Sequence, residues 1–133
     1  MGMPYEVRII AFRGLYDESK VVESKKRKHF ETAGLDKVDK LEFVPGIGKS
    51  TLKKFKSKTN ETKVDDLMGS TSGLMLLLLQ LQDPGDSFEL IQQEFYDLLI
   101  DKLGISERKN IHQIVSAISD KLKKHHLWLF RKK

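Results

Sequence analysis

Residues 44–55 read VPGIGKSTLKKF, and no other stretch of this chain limits its fold so narrowly. Pro45 fixes φ on entry to a turn. Gly46 and Gly48 allow positive φ and remove Cβ atoms, so another backbone can come close. Ile47, between them, is expected to plug into a core. Leu52 and Phe55 then mark the inward face of a basic helix. The first amides of that helix have no intrahelical acceptor and carry the positive end of the helix dipole. A helix start of this kind binds anions, phosphate above all.

Three readings fit these residues. The first is a P-loop, because Gly48-Lys49-Ser50-Thr51 follows an apolar stretch. That motif needs Gly, four residues, then Gly-Lys-Ser/Thr, and the position required for the first Gly holds Phe43. The second is the hairpin of a helix-hairpin-helix, hxGhG followed by a helix. It holds one phosphate of a nucleic-acid backbone on main-chain amides and reads no base. Pro45-Gly46-Ile47-Gly48 has its form throughout. The third is a plain corner between helices with glycine used for geometry.

The chain has 133 residues, which suits one domain. Its net charge of +5 favours nucleic acid or an anionic surface as partner, subject to where the cations lie. It contains no Cys, which excludes a disulfide framework and a Cys-based zinc site. The apolar run 74–79 is too short to span a bilayer, and Glu6 and Arg8 interrupt any signal-peptide core. The expectation is a soluble intracellular protein.

Residues 1–22 stand apart. Tyr5, Val7 and Ile9 alternate with Glu6 and Arg8, a period-2 pattern that predicts a short strand or an arm that orders on binding. Ser24 then caps a helix whose first turn carries Lys25, Lys26, Arg27 and Lys28. Cations at a helix start oppose the dipole, and a bound phosphate would relieve that conflict. A nuclear-import signal and a solvated charge run are the competing readings. Phe30 and Ala33 anchor this helix, and Val38, Leu41 and Phe43 form a short one leading into the glycine turn. Lys49, Lys53, Lys54, Lys56 and Lys58 make the helix after it strongly basic, and residues 60–62 form a turn.

Residues 64–69 and 74–81 read as two helical pieces separated by Gly69 to Gly73. The second is apolar all round, so it lies at the centre of a core or across a subunit interface. A homodimer contact is expected there, through Gly69, Gly73, Leu74, Leu77 and Leu78. Residues 83–86 break the chain. Asp86 or Ser87 caps a long helix whose apolar face carries Phe88, Ile91, Phe95, Leu98, Leu99 and Leu103, and Gly104 ends it. Ser106 caps the last helix, with Arg108 and Lys109 in its first turn and Ile111, Ile114, Val115, Ile118 and Leu122 facing inward. Helix starts near residues 25, 49 and 108 are therefore all basic, and would form one phosphate-binding surface if they converge. The tail, residues 123–133, flanks Leu127, Trp128, Leu129 and Phe130 with cations. It reads as core packing, a stacking surface or an interfacial membrane segment. His125 and His126 would point about 100° apart on a helix, which is poor ligand geometry, and no metal is assigned. No catalytic triad, carboxylate pair or metal cluster stands out, and neither an enzyme activity nor a cofactor is expected.

Taken in order, these parts resemble the barrier-to-autointegration factor family. The resemblance runs from about Ser24 to His126. It is carried by the basic SKKRKHF helix start, the PGIG turn with its basic helix, the Gly-then-apolar helix and two longer C-terminal helices. It implies a small all-helical homodimer that binds double-stranded DNA without sequence preference and bridges two duplexes, with LEM-domain proteins and lamins as further partners at the nuclear envelope. By position, Gly46, Gly48, Ser50 and Thr51 would offer amides to a phosphate. Lys25, Lys26, Arg27, Lys53 and Lys54 would add charge, and the helix start near Ser106 would complete the surface. Ser24 matches a serine that the family uses as a phosphorylation switch. The chain departs from the family in its extra N-terminal arm, its aromatic tail, its lack of cysteines and a longer link around residues 69–73.

The expected fold is all-α, a compact bundle of five to six helices, with an arm at 1–23, a helical domain at 24–126 holding the hairpin at about 37–58, and a basic aromatic tail at 127–133. The expected function is sequence-independent binding and bridging of double-stranded DNA at chromatin and the nuclear envelope, with no small-molecule substrate. The DNA-binding set is Lys25, Lys26, Arg27, Gly46, Ile47, Gly48, Lys49, Ser50, Thr51, Lys53, Lys54, Ser106, Arg108 and Lys109. The alternatives are a nucleotide-dependent enzyme acting through GKST and a helical interaction module that binds no DNA.

Overall fold

The computed structural model describes residues 15–58, 67–81, 87–104 and 108–125. Six α-helices run through them: α1 (Lys25–Thr32), α2 (Leu35–Val38), α3 (Lys49–Lys58), α4 (Thr71–Leu81), α5 (Phe88–Leu103) and α6 (Arg108–His125). Three 3-10 turns, Glu18–Lys20, Leu41–Phe43 and Leu67–Gly69, connect or precede them. Among the described residues there is no strand. The expected strand at Tyr5, Val7 and Ile9, the turn at 60–62, the caps at Asp86 and Ser106, and the tail at 127–133 lie outside them. Residues 15–23 of the expected arm lie inside them, and hold a 3-10 turn packed on α6.

Local chemistry explains the helix boundaries. Ser24 Oγ accepts from Arg27 N–H at 3.0 Å and Ser87 Oγ from Leu90 N–H at 3.1 Å, so each caps its helix. Gly104 takes the left-handed conformation, φ 63°, and closes α5 by donating to the Ile100 carbonyl. The start of α4 is clamped from a distance. Thr71 N–H donates to the Asp39 carbonyl and Ser72 N–H to Asp39 Oδ1, each at 2.8 Å. Thr71 Oγ1 donates to the Val38 carbonyl and Ser70 Oγ caps Gly73 N–H. The glycine link expected at 69–73 is therefore already helix from Thr71.

The centre of the molecule is α6, which meets α1, α4, α5 and the Glu18–Lys20 turn. Ile111, Ile114, Val115, Ile118 and Leu122 are fully buried, and His112, Gln113, Ser116, Ser119 and Lys121 on its other sides are buried as well. Phe30, Phe55, Leu74, Leu77, Leu78, Phe95 and Leu99 pack around it in one core.

Of the five residues expected at a dimer contact through α4, four lie in the core of the single chain. Gly73, Leu74, Leu77 and Leu78 are buried inside this one chain, against the helices around α4. An all-apolar helix needs cover, and here the chain supplies it on every side but that of Leu76. Leu76 alone among the large apolar residues of α4 is well exposed, and Gly69 lies at the surface.

Candidate nucleic-acid interface

The glycine turn is built as its residues require. Ile47 N–H donates to the Val44 carbonyl at 3.0 Å, closing a β-turn with Pro45 second and Gly46 third. Gly46 has φ +95°, the positive value that the third position of a type II turn demands. The same residue is wedged against α6. A Cβ there would stand 2.5 Å from the Asn110 carbonyl oxygen and 2.9 Å from both Gln113 Cβ and Ile114 Cγ1. Val44 and Ile47 are buried and pin the turn to the core.

Gly48 differs from Gly46. Its φ is not positive, so the left-handed backbone expected at both glycines belongs to Gly46 alone of the two. What Gly48 supplies is room, because a Cβ there would meet nothing within 4 Å. The first intrahelical bond of α3 runs from Leu52 N–H to the Gly48 carbonyl at 2.8 Å. The amides of Lys49, Ser50 and Thr51 precede it and have no acceptor within the helix. They stand beside the open space over Gly48. Lys49 and Ser50 are exposed, whereas the Thr51 side chain is buried and leaves only its amide to offer.

Two other helix starts meet this turn. Lys26 Nζ, from the first turn of α1, donates to the Ile47 carbonyl at 2.9 Å. Partial loss of water pulls this ammonium below the ordinary lysine value, against the opposing pull of Glu42. The α6 start arrives through the Gly46–Asn110 contact. The direction of α1 against α6 explains the convergence. Arg27 reaches Ser116 and Asp120, while Lys121 Nζ donates to the Phe30 and Ala33 carbonyls at 2.7 and 3.0 Å and Lys124 Nζ to that of Glu31 at 3.2 Å. Contacts that advance together along both helices mean that α1 and α6 run the same way. Their N-termini therefore point the same way, although α1 starts further along than α6, and each reaches the glycine turn beside the α3 start through one first-turn residue, Lys26 and Asn110. None of these three helices has an acid in its first turn.

On these three helices Lys25, Lys49, Lys53, Arg108 and Lys109 are exposed. Lys54 is half-buried and its Nζ lies 3.4 Å from the Gly104 carbonyl, at the end of α5. Ser106 falls outside the described residues, and Ser24 is exposed.

Arg27 does not belong to this surface. It is 3% exposed and points inward. Its Nη2 donates to Ser116 Oγ at 2.8 Å and to Asp120 Oδ2 at 3.1 Å, and its Nε lies 2.9 Å from Glu31 Oε2. Ser116 in turn donates to Glu18. Burial, with the nearby Glu18 charge adding to it, pushes the Asp120 carboxyl above its usual value, and Arg27 partly offsets this. A run of four cations gives no sign of which one faces inward. The signal lay at i+3, because Arg27 and Phe30 share the inward face of α1.

Among the described residues there is no group of His, Cys, Asp and Glu able to hold a metal, and no helix long and apolar enough to cross a membrane. Comparison of this chain with known protein families, with curated proteins and with solved structures finds no match.

Proposed function

We propose that this chain binds double-stranded DNA through its backbone phosphates, without reading sequence. The observation that supports it is the meeting of three basic helix starts at one glycine turn. The amides of residues 49–51 and the open space at Gly48 would receive a phosphate. Lys25, Lys49, Lys53, Arg108 and Lys109 would meet neighbouring phosphates of a duplex. Five unidirectional charges around three helix N-termini repel one another, and an anion placed among them relieves that strain. In this reading the turn acts as the hairpin of a helix-hairpin-helix. Lys26 holds its carbonyl side in place, and the lysine's charge still adds to the local field.

The P-loop alternative has less to rest on. Phe43 occupies the position of its first glycine, and the turn between Val44 and Ile47 spans too few residues to wrap a triphosphate.

Bridging of two duplexes, implied by the resemblance to barrier-to-autointegration factors, requires two such surfaces in one assembly. A homodimer that bridges must use a contact other than Leu74, Leu77 and Leu78. Partners of LEM-domain or lamin type and a place at the nuclear envelope are proposals of the same resemblance.

The test is binding of a mixed-sequence duplex as a function of salt, with unrelated duplex as competitor. Five phosphate contacts predict that log K falls against log salt with a slope of about −4 to −5. Unrelated competitor should compete equally. A preference on the order of 100-fold for one sequence, or no binding at low salt, contradicts the proposal.

A further inference from the structure

The segment ahead of α1 is fastened by a histidine. Tyr16 N–H donates to Gln93 Oε1 of α5 at 2.7 Å, and Asp17 N–H donates to His112 Nδ1 of α6 at 3.2 Å. The Tyr16 ring stands 5.6 Å from the His112 ring and 6.4 Å from Tyr96, and His112 stands 5.2 Å from Tyr96. Beyond them the Glu18 carboxylate accepts from the Tyr16 hydroxyl and, at 2.9 Å, from Ser116 Oγ. The His112 side chain is only 3% exposed.

A ring nitrogen that accepts a hydrogen bond is unprotonated, so His112 is neutral here with its proton on Nε2. A second proton would go to Nδ1 and set a donor against the Asp17 N–H. It would also charge a buried ring. The charged groups facing it divide. On the same segment the Asp17 carboxylate favours the imidazolium, but Ser19 N–H and Oγ already occupy its Oδ1, and Lys20 opposes it. Arg108 on α6 opposes it as well. From α5 come the Tyr96 ring and the neutral amide of Gln93. From α1, Arg27 approaches one helical turn away, at Ser116.

We infer that His112 is a proton-operated latch: its neutral ring holds residues 15–20 against α5 and α6, and its protonation releases them. Burial is the first cause holding the imidazole below its usual value, so the latch is closed at neutral pH. A histidine with a lowered folded pKa stabilises the closed form above its unfolded value. That contribution fades as pH falls from there through the folded value. Release would take Glu18 away from Ser116 and leave Arg27 with Asp120 and Glu31. The latch does not depend on the nucleic-acid reading.

Proton NMR on the full chain tests it, from about pH 8 to pH 5, a range that brackets the ordinary histidine value near 6.5. Two signals are followed: the His112 ring proton and the through-space contact between the Tyr16 and Tyr96 rings. The contact should vanish with the same midpoint as the His112 titration, below the ordinary value, while the core methyl signals persist. A contact that survives full protonation of His112 overturns the inference. In His112→Asn the amide oxygen takes the place of Nδ1 and does not titrate, so the contact should last through the acid range. Its loss at the wild-type midpoint would assign release to Glu18 or Asp120 and overturn the latch. If that variant does not fold, the coincidence of midpoints in the wild type decides.

Discussion

At the scale of residues, the two glycines of one turn have opposite duties. Gly46 is where the fold needs glycine, and Gly48 is where a ligand would need it. Gly46→Ala forces a Cβ into the Asn110 carbonyl at 2.5 Å and keeps a positive φ. Overpacking and backbone strain together should cost on the order of 3 kcal/mol, read as a lower urea midpoint. Gly48→Ala should cost less than ~1 kcal/mol, because its Cβ meets open space and only the helix start is affected. Equal losses in the two variants would refute this division. Arg27 belongs to the same scale. Arg27→Ala removes the buried partner of Ser116 but leaves Asp120 and Glu31, 42% and 41% exposed, in reach of water, and should destabilise by about 1–3 kcal/mol. A surface lysine such as Lys25→Ala should change stability by no more than about 0.5 kcal/mol. The run of cations alone gave no warning of the inward arginine, and only its i+3 spacing to Phe30 marked the covered face.

At the scale of elements, helix positions and faces were largely readable. The caps at Ser24 and Ser87, the stop at Gly104 and the apolar spacing of α5 and α6 follow local rules, and local rules act within a few residues. What could not be read was which helix lies at the centre. The all-apolar α4 looked central or dimeric, yet α6 is the helix surrounded on all sides. Its buried His112, Gln113, Ser116 and Ser119 look like a solvent face in sequence. Three of them are covered because partners far along the chain satisfy them: Asp17 for His112, Arg27 and Glu18 for Ser116, and Gln92 for Ser119. No window of fifteen residues contains such a pairing. The energetics of α4 can be tested directly. Leu78→Ala should cost about 2–5 kcal/mol as a core cavity, with an unfolding midpoint independent of protein concentration. A midpoint that rises with concentration would return Leu78 to a subunit interface. Asp39→Ala should cost about 1 kcal/mol by uncapping Ser72 at the start of α4.

At the scale of the whole molecule, the proposed binding surface depends on α1 and α6 running the same way, with Lys26 and Asn110 of their first turns against the glycine turn. Sequence could name three basic helix starts. It could not say that they meet, since that depends on the Lys26–Ile47 contact, the Gly46–Asn110 contact and the α6 lysines at the far end of α1. The measurement that bears most directly on the proposal is duplex binding by Gly48→Glu, made beside its urea midpoint. The substitution fills the open space with bulk and negative charge next to the amides of residues 49–51 and leaves the Gly46 wedge and the Ile47 plug intact. The account predicts that binding of a mixed-sequence duplex at physiological salt is lost while the unfolding midpoint moves by less than the equivalent of ~1 kcal/mol. Wild-type affinity in a folded Gly48→Glu protein would contradict it.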